Sequence, residues 1–283
     1  MNKPSNIMQF GSKVLDLSTP NIMGILNVTP DSFSDGGNFN QIDNALNQVE
    51  MMIAAGASII DVGGESTRPG AKDVELQEEL ARVIPVIKAI KQRFEVVISI
   101  DTSKAEVMQA AIDSGAGLIN DVRALQNEGC VEVVANSDLP VCLMHMQGMP
   151  RTMQTKPQYN NVVDDVETFF KQRIQVCQQA GIDKNRIIID PGYGFGKTLE
   201  QNYQLLANQQ QLLALGTPIL AGISRKSMIG NLLDAPVEQR LAGSLSAAVL
   251  ACINGAKIIR VHDVKETVDA IKVLSATLAQ QAI

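Results

Sequence analysis

Short apolar runs recur along the chain at intervals of roughly 35 residues, at 22–28, 58–63, 96–101, 117–122, 140–146, 187–190, 218–224 and 256–262. They are rich in β-branched residues and almost uniformly apolar, the pattern of strands covered on both faces. The intervening segments carry a helical period instead. Ala45, Val49, Met52 and Ile53 share one helix face, as do Leu241, Leu245, Ala248, Val249 and Cys252. Ser103 with Glu106, and Asp263 with Glu266, fit the N-cap and N3 positions of helices that begin after the third and eighth strands. Before the first run, 7–10 and 14–17 flank Gly11-Ser12-Lys13 and predict a hairpin.

Eight strands alternating with eight helical regions predict an α/β fold, a closed (β/α)8 TIM barrel. An open doubly wound sheet is the structural alternative, but it usually has fewer strands and one dominant Gly-rich turn. No low-complexity linker interrupts residues 1–283, so a single domain is expected, with residues 1–21 as an N-terminal hairpin preface. Such a preface can plug the bottom of a barrel, away from its chemistry.

Composition narrows the function. Hydrophobic residues are 45% and charged residues 19%, enough for a large core. Aromatics are 4% with no Trp, which disfavours a stacking platform for single-stranded nucleic acid. A net charge of −6, from 24 basic and 30 acidic residues, disfavours general binding to nucleic acid or anionic membranes. Taken alone it also argues against an anionic substrate. The cysteines, at 130, 142, 177 and 252, form no CxxC pair and read as reduced thiols of a cytoplasmic protein. Neither a signal peptide nor an apolar stretch of about 20 residues is apparent.

The residues at the end of each apolar run are more informative. The first run leads into Asn27-Val28-Thr29-Pro30-Asp31-Ser32-Phe33-Ser34-Asp35-Gly36-Gly37, the second into Asp61 and then Gly63 through Gly70. Later ends bring Asp101, Asn120-Asp121, Met144-His145, Asp190, Ser224-Arg225-Lys226-Ser227 and Arg260-Val261-His262-Asp263. In a barrel these C-terminal ends share one rim, where active sites of the fold lie. Asp61 reads most simply as a hydrogen-bond acceptor for nearby backbone, and Asp121 and Asp263 as caps. Asp101 and Asp190 end strands of Ile, Val and Ser, where a carboxylate needs a partner to offset desolvation. Arg260 and His262, two residues apart on one strand side, make an anion site credible. For Arg225-Lys226, at a strand end between serines, a site role is the better reading.

Residues 191–198 come close to the phosphate loop GxxxxGK[ST], but Pro191 stands where the first glycine belongs. The run is better read as a mobile rim loop whose Phe195 can cover a flat ligand. No metalloprotease helix, Cys/His cluster or calcium loop is present, whereas Mg²⁺ held mostly by substrate phosphates would need little more than the Asn27 amide. No Ser or Cys has the setting of an activated nucleophile. Carboxylates opposite amides suit a flat heterocycle with N–H donors and a carbonyl; Arg, His and a cation suit a phosphate leaving group.

These segments resemble the bacterial dihydropteroate synthases. Residues 25–37 and 61–70 are similar to that family's two signature loops, and the likeness continues through Ser99–Thr102, Ile119–Asp121, Leu143–Gly148, Asp190–Gly192, Ser224–Ser227 and Arg260–Asp263. The resemblance implies a transferase of folate biosynthesis that condenses 6-hydroxymethyl-7,8-dihydropterin diphosphate with 4-aminobenzoate. By the family pattern Asp101, Asn120, Asp190 and Lys226 hold the pterin, with Met144, Phe195 and Gly222 lining its slot. Asn27 ligates Mg²⁺ on the diphosphate, and Thr67, Arg68, Arg260 and His262 bind the anion. Phe33, Thr67, Pro69, Lys226 and Ser227 shape the aminobenzoate site. Because an aromatic amine is neutral at pH 7 and C–O cleavage is the harder task, an SN1-like substitution is expected, with Asp35 and the first loop shielding the cation from water. The resemblance further implies a homodimer through the late helices and sulfonamide competition with aminobenzoate. Two alternatives remain. One is a pterin-binding methyltransferase domain, which works with a corrinoid partner and has no use for the aminobenzoate segments. The other is a non-catalytic pterin-binding protein, which has no use for the anion set.

Overall fold

A computed structural model describes residues 6–28, 38–66, 73–148 and 157–280. The chain begins with a hairpin, β1 (Ile7–Phe10) and β2 (Lys13–Asp16), paired antiparallel around a two-residue turn. Gly11 takes the positive φ of +60° that the turn needs. The second strand therefore starts one residue earlier than the pattern predicts.

Eight parallel strands then close a barrel: β3 (Asn21–Asn27), β4 (Ile59–Gly63), β5 (Val97–Asp101), β6 (Leu118–Asp121), β7 (Val141–Met144), β8 (Ile187–Asp190), β9 (Ile219–Ala221) and β10 (Ala256–Val261). β10 returns to pair with β3. All eight predicted runs are strands, trimmed most at 218–224, where Pro218 lacks an N–H and Gly222 ends the pairing.

The outer layer, among the described residues, holds nine α-helices rather than one per strand. They are α1 (Asn38–Ala55), α2 (Leu76–Arg93), α3 (Ala105–Asp113), α4 (Cys130–Ala135), α5 (Val162–Gln179), α6 (Leu199–Ala207), α7 (Ser227–Leu233), α8 (Leu241–Ile253) and α9 (Val264–Ala279). The extra one is α7, a short helix that begins at Ser227 right at the rim. None of these helices is long and apolar enough to cross a membrane.

Two predicted caps differ from the structure. The N-cap of α3 is Lys104, because the Ser103 hydroxyl donates to the Asp121 carboxylate. Asp263 does sit at the N-cap of α9, but its carboxylate accepts from Arg225 instead of capping backbone.

Side-chain alternation sorts the strands into two environments. Outward residues such as Leu26, Ile60, Ile100, Ile119 and Ile189 pack against the helices. The lowest inward layer, Met23, Ile59, Val97, Leu118, Cys142, Ile188, Leu220 and Ile258, forms a separate apolar cluster with Met8, Phe10 and Leu17 of the N-terminal preface. The preface thus plugs the barrel floor, as expected. Contact there is close: a Cβ on Gly117 would lie 2.9 Å from the Phe10 carbonyl oxygen.

Candidate active site

Two residues further along the same strands, the inward layer changes character. It reads Ile25, Asp61, Ser99, Asn120, Met144, Asp190, Gly222 and Arg260, and above it come Asn27, Gly63 and Asp101. The strand period that builds the floor thereby aims the polar residues into the mouth. Asp61, Ser99, Asp101, Asn120, Met144 and Asp190 are all buried there.

Arg260 organises one side. Its Nε donates to Asp61 Oδ2 at 2.6 Å and its Nη2 to Asp101 Oδ2 at 2.7 Å, while Asn120 Nδ2 donates to Asp61 Oδ2 at 3.1 Å. This corrects the simple reading of Asp61, which serves a cation two strands away on β10 rather than nearby backbone. It also places Arg260 with Asp101 and Asn120, one layer below His262. Asp61 Oδ1 and Ser99 Oγ are buried with no hydrogen-bond partner among the described residues.

Asp190 and Lys226 form the other side. Asp190 Oδ1 accepts from Gly192 N at 2.8 Å, Lys226 Nζ donates to the Tyr193 carbonyl, and the Lys226 ammonium lies 4.3 Å from the centre of the Phe195 ring. A Cβ on Gly222 would sit 3.8 Å from Asp190 Oδ2 and 3.9 Å from Lys226 Nζ, so glycine leaves room between these groups. Asn27 is exposed at the end of β3, Ser227 is exposed at the start of α7, and exposed His262 shares a 3.1 Å contact between Nδ1 and Ser224 Oγ.

Charges in the mouth are unevenly matched, three carboxylates facing Arg260 and Lys226. Burial raises the Asp101 carboxyl, opposed by Arg260 and reinforced by Asp61. Burial likewise raises Asp190, opposed by Lys226 and the Gly192 N–H. Lys226 is pulled down by burial to about 8, with Asp190 resisting. Burial works against charge on Arg260, but Asp61 and Asp101 outweigh it and hold the guanidinium firmly protonated. A ligand offering N–H donors to the carboxylates and acceptors to the cations would relieve this imbalance.

Known proteins are similar to this chain in sequence and in fold. The model of the pterin binding enzyme family matches residues 23–262. Dihydropteroate synthase of Escherichia coli is 57% identical over 265 residues, covering 94% of each chain. The Haemophilus influenzae dihydropteroate synthase is 56% identical, covering 94% of this chain and 97% of its own. The chain belongs to the dihydropteroate synthase family. Among solved structures, a Yersinia pestis dihydropteroate synthase in a sulfonamide drug complex superposes with a TM-score of 0.92 at 54% identity, covering 96% of this chain and 99% of that one. A Xanthomonas albilineans dihydropteroate synthase with 4-aminobenzoic acid gives 0.92 at 48% identity, covering 97% and 99%.

Of the residues expected from sequence, Asp101, Asn120, Met144, Asp190, Phe195, Gly222, Lys226 and Arg260 converge on this mouth, with Asn27, Ser227 and His262 at its edge. Phe33, Asp35, Thr67, Arg68 and Pro69 lie outside the described residues. Arg225 turns away from the site: at a φ of +57° it aims its guanidinium at Asp263, and a site role for it is corrected to a structural one. Asp121 behaves as a cap of loop backbone, accepting from Arg123 N at 2.8 Å and Leu125 N at 2.7 Å.

The roles of two side chains, Glu79 and Lys197, are not legible in the sequence. Fully buried Glu79 of α2 accepts from Thr102 Oγ1 at 2.6 Å and pairs with Lys104, which also reaches Glu65 at 2.5 Å. The period of α2 puts Glu79 on the buried face with Val83, Val86, Ile87 and Ile90, but a pattern of apolar positions passes over a carboxylate. Lys197 is also buried, bonded inside its own loop, so that loop is anchored rather than the mobile rim expected. His145 completes its anchorage.

Proposed function

We propose that the mouth binds 6-hydroxymethyl-7,8-dihydropterin diphosphate and joins its methylene carbon to the amine of 4-aminobenzoate. The products are 7,8-dihydropteroate and diphosphate. The observation that carries this reading is the single inward cluster of Asp101, Asn120, Asp190 and Lys226, with Phe195 beside it and Gly222 leaving a slot. Buried carboxylates suit the amino and ring N–H groups of a pterin, and the Asn120 amide and Lys226 ammonium suit its carbonyl and ring nitrogen. Asn27, Thr67, Arg68, Arg260 and His262 would face the diphosphate. Phe33, Thr67, Pro69, Ser227 and the Lys226 stem would shape the aminobenzoate pocket. Arg260 already serves two carboxylates, so its share in anion binding is to orient and polarise from beneath.

The neutral aromatic amine needs no strong base, so the demanding step is breaking the C–O bond. We read the substitution as SN1-like. The electron pair of that bond leaves with diphosphate, the dihydropterin ring shares the resulting positive charge, and the Asp101 and Asp190 carboxylates stabilise it. The amine then adds to the methylene carbon and releases its proton to solvent, with Asp35 in the first loop helping to exclude water. Asn27 offers one exposed neutral oxygen, and the described residues contain no group of three His, Cys, Asp or Glu able to hold a metal ion. That donor set fits Mg²⁺ bound mainly by substrate phosphates and water. When bound, Mg²⁺ would neutralise charge on the departing diphosphate.

The same reading includes a homodimer, supported by exposed Leu232, Leu233, Leu250, Ile253 and Val273 on the last three helices. A cytoplasmic setting accords with four free, buried cysteines. Mixing the protein with Mg²⁺, the pterin diphosphate and 4-aminobenzoate tests the function: equimolar dihydropteroate and diphosphate are expected, and pterin binding without product would sink it. A rate independent of aminobenzoate nucleophilicity in single turnovers is expected for the SN1-like step, and a steep dependence would contradict it.

A further inference from the structure

Lys197 occupies the place of a phosphate-loop lysine but points inward, 2% exposed. Its Nζ lies 2.9 Å from the Gly192 carbonyl oxygen, 3.1 Å from that of Phe195 and 3.0 Å from His145 Nδ1. These three acceptors match the three hydrogens of an ammonium, and the His145 carbonyl oxygen is a longer fourth at 3.5 Å. His145 can accept here because burial, and then the neighbouring Lys197 charge, hold its ring neutral. The 192–197 loop lies backbone to backbone on the segment leaving β7: a Cβ on Gly192 would sit 1.9 Å from the His145 carbonyl oxygen, and one on Gly196 2.5 Å from that of Gln147. Positive φ at Gly192, Gly194 and Gly196 permits this path. The glycines thus serve close packing rather than a phosphate. Tyr159 adds an outer tie, its hydroxyl donating to the Gly196 carbonyl at 2.8 Å.

This short loop supplies much of one wall of the mouth. Its Gly192 N–H binds Asp190, its Tyr193 carbonyl binds Lys226, and its Phe195 ring lies against the Lys226 ammonium. We propose that Lys197 is a positioning residue for the pterin slot, tying the Gly192 and Phe195 carbonyls to His145 so that Phe195 and the Tyr193 carbonyl stay in register with Lys226 and Asp190. Lys197 itself touches no substrate. The proposal rests on the pterin occupying this mouth and names the group that holds the slot in shape.

The test uses the full chain and two variants, Lys197→Met and His145→Phe. The second keeps the aromatic packing of His145 against Phe169 and Phe170 and removes only the acceptor. Dihydropterin binding is measured by titration calorimetry, and KM is measured for both substrates. Lys197→Met is expected to weaken dihydropterin binding at least tenfold and raise the pterin diphosphate KM in parallel, leaving the aminobenzoate KM within twofold. His145→Phe should show the same selectivity at about threefold, and it decides the matter if Lys197→Met fails to fold. Unchanged dihydropterin affinity in a folded variant, or equal loss for both substrates, would overturn the proposal. Failure of the wild-type protein to bind dihydropterin would instead overturn the functional reading beneath it.

Discussion

The floor and the mouth of this barrel are built by the same eight strands on the same two-residue alternation, yet their inward layers are opposites. At the floor, Met23, Ile59, Val97, Leu118, Ile188, Leu220 and Ile258 close on Phe10 and Met8 of the preface, with every inward group apolar or a buried thiol. One layer up, Asp61, Asn120, Asp190 and Arg260 replace them, and Asp61 Oδ1 and Ser99 Oγ have no partner among the described residues. Burial that stabilises the first layer strains the second, because each desolvated charge there depends on a partner. The mouth keeps that arrangement because it is useful for binding, and the floor supplies the stability that lets it persist.

The largest effect should come from damaging the floor. Phe10→Ala removes a ring that is 1% exposed and should destabilise the protein by about 3–5 kcal/mol in urea unfolding. Its kcat/KM at temperatures where it stays folded should change less than twofold. Asp190→Asn reverses the pattern. Losing a charge-assisted bond of roughly 2–3 kcal/mol should lower kcat/KM by about a hundredfold. The melting temperature should fall only slightly, because relief of the buried Asp190 charge offsets part of what Lys226 loses with its partner. If Phe10→Ala instead lost activity in its folded state, or Asp190→Asn unfolded, the division between the two ends would fail.

A smaller effect concerns Lys197, which burial lowers from 10.5 to about 7, with Asp190 opposing and Lys226 assisting. Below about pH 7 both folded and unfolded chains hold this proton, so the burial cost is fully present. Between about 7 and 10.5 only the unfolded chain retains it, and folding stability rises with pH. The stability difference between wild type and Lys197→Met should therefore shift toward wild type by about 1 kcal/mol per pH unit across that window. A flat difference would show that Lys197 titrates normally. Smallest of all should be Asp263→Asn: its Arg225 partner is 38% exposed, and such a pair contributes at most about 1 kcal/mol. Thermal melts and kinetics should both barely move.

Much of this architecture is legible in the sequence. Apolar runs mark all eight strands, and polar residues at their C-terminal ends mark the rim, because strand period and barrel topology together dictate where those residues go. The net charge of −6 misleads about the substrate, since it averages over a surface while Lys226, Arg260 and His262 gather locally. Asp61 is misread in sequence because its partner lies 199 residues away, on the strand that closes the barrel beside β3. Lys197 is masked by its likeness to a phosphate loop; only the fold shows that the lysine turns inward. Arg225 and Lys226 are adjacent in sequence but aim in different directions, a split that follows from the positive φ at Arg225.

The part of the inward carboxylates in holding a pterin is best measured by calorimetric titration of a dihydropterin into the wild-type protein and into Asp190→Asn. One site per chain is expected in the wild type and at least a tenfold weaker Kd in the variant, with both proteins equally folded by circular dichroism. Equal affinity in the two proteins would contradict that expectation, because the inward carboxylate of the mouth would then have no part in holding the pterin.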